Sequence, residues 1–145
     1  MAMTAQQLAE ACAKAMWAQD AASQGLDMKL EHVAPGEATL SMTITARMAN
    51  GHNNCHGGYI FTLADSAFAF ACNAYNQLTV GHQAAITYIA PASVGDCLTA
   101  TCRELHRKGR GGIYDVKVTN QHGDHVAEFR GHCRTVKGVH VPEDV

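Results

Sequence analysis

Residues 57–75 read GGYIFTLADSAFAFACNAY. Wound into a helix, this stretch is apolar nearly all round, and many of its side chains are small: Ala64, Ser66, Ala67, Ala69, Ala71 and Cys72. A helix without a polar face is a buried helix, so one is expected from Gly57 to about Tyr75 with other structure packed around it.

What surrounds it reads with period two. Ala38, Leu40, Met42 and Ile44 alternate with Thr39, Ser41, Thr43 and Thr45, the pattern of a half-buried strand. Met28 to Val33 precedes it, with Pro35-Gly36 as the turn. Beyond the helix, Gln83 to Ile89 reads as a strand ended by Pro91. Leu98, Ala100 and Cys102 alternate with Thr99, Thr101 and Arg103. Tyr114, Val116 and Val118 then alternate with Asp115, Lys117 and Thr119, and Ala127, Phe129, Gly131 and Cys133 with Glu128, Arg130, His132 and Arg134. Glycine-containing breaks between these strands predict hairpins and an antiparallel meander. The fold class is therefore α+β, with an antiparallel sheet of five or six strands wrapping one face around a long central helix. At the other end, Thr4 and Gln7 fit a capping box, and an amphipathic helix is expected from Thr4 to about Ala22.

A chain of 145 residues is one domain, 1–145, with residues 1–24 carrying the N-terminal helix and 137–145 a loose tail. Hydrophobic residues make up 47%, enough for a real core. Lys+Arg number 11 and Asp+Glu 13, a near-balance that rules out the strongly basic footprint of a dedicated nucleic-acid binder. The largely apolar run Tyr59 to Cys72 is too short for a bilayer and contains Asp65, so no membrane partner is expected. None of the six cysteines forms a C-x-x-C pair, and the N-terminus has no secretory pattern. Reduced thiols in a cytoplasmic protein fit this usage.

Asp65 is the only Asp, Glu, Lys or Arg between Arg47 and Asp96. At the chain average of 17%, about eight would be expected there. An unpaired buried carboxylate costs several kcal/mol, so this one is paired, protonated or facing a cavity. One reading has it capping or hydrogen-bonding across a subunit interface. The other has it on the floor of a pocket, where partial burial raises its pKa toward that of a useful general base. Directly before the helix lies the polar, uncharged loop Asn50-Gly51-His52-Asn53-Asn54-Cys55-His56-Gly57-Gly58. Glycines at a helix start leave backbone N–H groups open to a ligand at the positive end of the helix dipole. That is what an oxyanion hole needs, although a glycine pair alone is more often a turn. His52, Cys55 and His56 lack a third or fourth metal ligand at sensible spacing, so no metal is expected. A Cys55 nucleophile would need a base and a low pKa, and a histidine next in sequence need not face it.

On Asn50…His56-Gly57-Gly58…Leu63-Ala64-Asp65 the sequence resembles the hotdog-fold acyl-CoA thioesterases of the phenylacetate-degradation PaaI type. The likeness continues through Ser66-Ala67-Phe68, Ile86-Thr87-Tyr88-Ile89-Ala90-Pro91, Gly95 to Ala100 and Gly112 to Val116, covering roughly Gly25 to Val136. The resemblance implies a hotdog fold, edge-to-edge homodimers and a homotetramer of two dimers. It implies hydrolysis of aryl-acetyl-CoA thioesters, phenylacetyl-CoA or hydroxylated derivatives, to free acid and CoA, with no cofactor. Asp65 of one subunit would be the general base on water, or a nucleophile forming an anhydride. The Gly57 N–H of the partner would bind the thioester oxygen, Asn50 would help orient or polarise that carbonyl, and His56 would support the loop. It also implies substrate contacts at Gly58 and at the turn holding Arg107, Lys108, Arg110 and Gly111. Phe61 would line an acyl pocket. Read alone, that basic cluster is more often a solvated hairpin, and an aromatic stripe at helical spacing more often plain core. Asn53 and Asn54 stand where relatives often carry Gly and Ser or Thr, and His82 and Gln83 stand near where a hydroxyl is often found; none is placed in the catalytic set. Two rivals remain on the same fold. A hydratase or dehydratase would use His56 for proton transfer. A non-catalytic acyl-CoA sensor would usually carry an added DNA-binding segment, for which this chain leaves little room.

Overall fold

A computed structural model describes residues 2–142. Helix α1 (Ala5–Gln19) opens on the expected capping box: Thr4 accepts from the Gln7 N–H while the Gln7 side chain accepts from the Thr4 N–H. It stops earlier than its periodicity suggests. The Asp20 carboxylate accepts from both the N–H and the hydroxyl of Ser23, capping a separate short helix α2 (Ala21–Gly25). An aspartate that can bond the backbone three residues ahead competes with helix continuation.

Strands β1 (Lys29–Ala34) and β2 (Glu37–Thr43) form a hairpin across Pro35-Gly36. A 3₁₀ turn (Ala46–Met48) leads to helix α3 (Gly57–Cys72), followed by β3 (Thr79–Tyr88), β4 (Cys97–Lys108), β5 (Gly111–Thr119) and β6 (His125–Thr135). The six strands make one antiparallel sheet in the order β1-β2-β4-β5-β6-β3. The expected meander holds for β4-β5-β6. It fails for β3, which crosses over to pair with β6 and becomes the edge of the sheet. Alternation fixes which face a residue takes, not which strand lies beside it.

The inner face of the sheet closes on α3. Leu63, Ala64, Ala67 and Ala71 are fully buried against residues such as Leu40, Leu98, Val116 and Val118. Contrary to the expectation of burial all round, one stripe of α3 is open. Gly58 and Asp65 are exposed, and Phe61, Thr62, Ser66 and Ala69 are half-buried. Positions three and four apart share one helix face, so these residues form a single band. The helix also ends at Cys72 rather than near Tyr75. The Asn73 side chain donates to the carbonyls of Ala69 (2.9 Å) and Thr79 (3.0 Å) and accepts from the Thr79 N–H (2.9 Å). One amide thus terminates the helix and starts β3.

The tail expected to be loose is tied down where it is described. Val136 donates to Leu78 and Leu78 to Gly138, and the N–H groups of His140 and Val141 converge on Asn76 Oδ1 at 2.9 and 3.0 Å. His140 Nε2 lies 2.6 Å from Asn73 Oδ1. The segment is held through these contacts by two asparagines far away in sequence. Residues 143–145 of the expected tail lie outside the described residues.

Candidate active site

The loop entering α3 is sewn to its surroundings by backbone bonds: Cys55 N–H to the Ala92 carbonyl, His56 N–H to Met48, and Asn50 N–H to Asn54, each 2.7 Å. Asn50 Oδ1 accepts from the N–H groups of His52 (2.9 Å) and Asn54 (3.1 Å). With its oxygen so occupied, the Asn50 side chain has its NH₂ left as a donor. His56 is the N-cap of α3, its Nδ1 accepting from the Gly58 N–H at 3.0 Å. The Gly58 N–H is therefore committed to His56, whose ring also lies over the Gly58 Cα, 3.1 Å from where a Cβ would stand. Gly57 is the first helical residue, and among the described residues its N–H has no acceptor. Cys55 is buried beside it, and burial pushes its thiol up to about 11, the opposite of what a nucleophilic cysteine needs.

Two cavities divide the expected residues. The first, about 510 Å³, is lined by Phe61, Asp65, Phe68, Ala69 and Cys72 of α3 and by residues 79–84 of β3. The second, about 470 Å³, is lined by Asn50, Asn54, Cys55, Gly57 and Ile60, and by residues 88–92 just past the other end of β3. Asp65 is eight positions after Gly57, or about 12 Å along the helix at 1.5 Å per residue. A single carbonyl group cannot touch both within one chain.

The Asp65 carboxyl is exposed in the protomer yet held above its ordinary carboxylate pKa, and partial burial beside the cavity is the whole cause. Among the described residues no cation contributes to pull the value back down. The wall next to it is aromatic. Phe61 meets Phe129 edge-on at 5.4 Å between ring centres, and Phe68 stands 5.7 Å from Phe129 and 5.8 Å from Tyr114. His82 and Gln83 line the same cavity at a β-bulge, where β3 slips by one residue against β6. Bulges re-aim side chains and are common beside active sites.

Arg107, Lys108, Arg110 and Gly111 lie at the β4–β5 hairpin and line neither cavity. The Arg107 guanidinium stacks 3.7 Å over the Tyr75 ring and donates to Gln77 Oε1 at 3.1 Å. Among the described residues no group of three or more His, Cys, Asp and Glu is placed to hold a metal ion, and no helix is long and apolar enough to cross a membrane. Sequence reasoning missed Tyr88, whose hydroxyl donates to the Gly57 carbonyl at 2.8 Å. Nothing local marks it, since it is simply the last residue of a strand.

A sheet wrapped on one central helix is the hotdog fold, and an acid on the helix with a polar glycine loop at its start suits a thioester-cleaving member of it. The chain belongs to the thioesterase superfamily, whose pattern matches residues 52–127. It is 40% identical over 126 residues to the acyl-coenzyme A thioesterase PaaI of Escherichia coli K12, covering 87% of this chain and 90% of that protein. The solved structure of E. coli PaaI, from the phenylacetic acid degradation operon, superposes with a TM-score of 0.92 at 38% identity, covering 94% of this chain and 99% of that one. A Streptococcus mutans protein solved bound to acetyl CoA matches with a TM-score of 0.74 at 25% identity, over 77% of this chain and 90% of its own.

Proposed function

We propose that this chain is an acyl-CoA thioesterase hydrolysing aryl-acetyl-CoA thioesters, such as phenylacetyl-CoA or its hydroxylated derivatives, in a site completed across a homodimer. The observation that carries the reading is the separation of Asp65 from Gly57 and Asn50, in two cavities flanking opposite ends of an unpaired strand edge. If two copies pair antiparallel along β3, the start of one strand lies beside the end of the other. The Asp65 cavity of one protomer then abuts the Asn50 and Gly57 cavity of its partner. The edge is suited to cover: Val80, Tyr88 and Ile89 are each about half exposed, and an open apolar edge invites another strand.

In that composite site Asp65 takes a proton from water as the oxygen attacks the thioester carbon. The developing oxyanion accepts from the Gly57 N–H and the Asn50 amide of the partner protomer. Collapse of the tetrahedral species breaks the C–S bond and expels the CoA thiolate, which takes the proton back from Asp65. A thiolate leaves readily, so one acid–base group suffices for both transfers. His56 supports this by capping the loop, with the ring proton on Nε2 while Nδ1 accepts from Gly58.

Phe61 and Phe68 would face the acyl ring, which favours an aromatic acid over a short aliphatic one. Lys108 and Arg110 at the exposed hairpin tip, with Gly111, would meet the phosphates of CoA, and Arg107 would join them from its stacked position. Two dimers would assemble into a tetramer. Six free cysteines, five of them buried, suit a reducing, cytoplasmic setting.

The test is complementation. Asp65→Asn and Asn50→Ala homodimers should each be nearly inactive on phenylacetyl-CoA. Unfolding and refolding them together makes hybrids with one intact composite site, and random pairing restores about a quarter of wild-type turnover. A site contained within one chain would recover nothing.

A further inference from the structure

Two consecutive glycines are the most conformationally free peptide a chain can place at a helix start, yet the donor assigned to Gly57 works only if its direction is fixed beforehand. The peptide joining Gly57 to Gly58 is gripped at both poles. Its N–H donates to His56 Nδ1 at 3.0 Å, and its carbonyl accepts from the Tyr88 hydroxyl at 2.8 Å. The Tyr88 ring also lies against the Gly57 Cα so closely that a Cβ there would sit 2.8 Å from Cζ and 2.9 Å from the hydroxyl oxygen. The same ring borders the Asn50 and Gly57 cavity.

We propose that Tyr88 is a positioning residue, whose hydroxyl and ring clamp the Gly57–Gly58 peptide so that the Gly57 N–H is held ready for the thioester oxygen. The proposal rests on the thioesterase reading for its kinetic consequence, and on geometry alone for the clamp. Tyr88 ends the edge strand β3, so the clamp also ties the donor to the strand that a second copy would cover.

Tyr88→Phe keeps the ring and removes the hydroxyl. One hydrogen bond of ordinary net strength corresponds to about a tenfold effect, so kcat on phenylacetyl-CoA should fall about tenfold with KM nearly unchanged. Tyr88→Leu should fall further and, by opening the space over the Gly57 Cα, should make Gly57→Ala less damaging than in the Tyr88 background. A second readout is independent of activity. Amide exchange of Gly58, measured by NMR, should quicken about tenfold in Tyr88→Phe as the peptide loosens. An unchanged Gly58 exchange rate overturns the clamp whatever the enzyme does. Faster exchange with kcat unchanged, or with only KM raised, overturns the positioning role. A wild-type protein that cleaves no acyl-CoA thioester defeats the thioesterase reading and leaves the exchange result to decide the clamp.

Discussion

Phe68 is wedged where no larger neighbour fits, and Gly131→Ala measures how tightly. A Cβ built on Gly131 would stand 2.7 Å from Cε2 and Cζ and 2.8 Å from Cε1 of the Phe68 ring. Carbon atoms in contact prefer about 3.5–4.0 Å, so the ring must retreat by roughly 0.8 Å or more. It has little room, being 2% exposed and bounded by Tyr114 and Phe129 at 5.8 and 5.7 Å. Overpacking of this kind costs about 1–3 kcal/mol. Taking about 2 kcal/mol, the melting temperature of a chain this size should drop by about 4–8 °C in a circular-dichroism melt. The penalty comes from one ring, so it should couple to that ring. Phe68→Leu with Gly131→Ala should be more stable than the sum of the single changes by about 1 kcal/mol in urea titrations. Because Phe68 also walls the Asp65 cavity, the displaced ring should raise KM for phenylacetyl-CoA more than for acetyl-CoA. A Gly131→Ala protein within 0.5 kcal/mol of wild type, or strict additivity in the double variant, would refute this account of the cradle.

Asp65→Asn should lower kcat at least about 10²-fold, since a general base contributes about 10²–10⁴. It should not lower the melting temperature at neutral pH: burial raises the folded carboxyl pKa, so the charged form opposes folding above that value and the amide removes the cost. By the same sign, the acid limb of kcat against pH should fall above the ordinary aspartate value, and a limb at or below it would count against Asp65 as the base. His140 is shifted the other way, burial lowering its pKa, so its stabilising contribution is present above the unfolded value and lost as pH falls through the folded one. Stability of the wild type should therefore decline on acidification below about pH 6.5, and His140→Gln should flatten that decline in melts across the range. An identical slope in the variant would place the acid sensitivity elsewhere.

Much of the fold was legible because its signals are local. The alternation over 38–45 put Ala38, Leu40, Met42 and Ile44 on the inner face, and all four are buried. The capping box at Thr4 formed as its residue types demand. The early stop of α1 is a local miss, since Asp20 bonds Ser23 only three residues ahead; the larger misses are non-local. The place of β3 beside β6 depends on a crossover rather than on a turn sequence. The strap through His140 depends on Asn73 and Asn76, more than sixty positions earlier. For the site, Asp65 stood out because charge is so scarce around it, and His56 through the motif His56-Gly57-Gly58 that carries the resemblance. Tyr88 gave no such sign. Its meaning lies in a contact thirty-one positions away with a backbone carbonyl, which side-chain patterning does not encode.

The largest disagreement between pattern and structure concerns α3, and it has one physical resolution. The pattern has no polar face, yet Gly58, Asp65 and their neighbours lie open in the single protomer. Small and aromatic side chains such as Phe61 and Ala69 are poor choices for a surface meant to stay wet, and so is a strand edge presenting Val80, Ile89 and Tyr88. Residues 79–84 of β3 meet the open band of α3 in one cavity, so a second copy laid along β3 would cover strand edge and helix together. On that view the sequence is written for the covered state, and the two anomalies, an apolar helix with an open side and an apolar strand without a partner, are one. The lone carboxylate then follows. Placed on a band that would close on dimer formation, Asp65 would lose water as the partner's Gly57 N–H arrives. In the proposed dimer, the dehydration that makes it a stronger base and the donor that needs it would be delivered by one association.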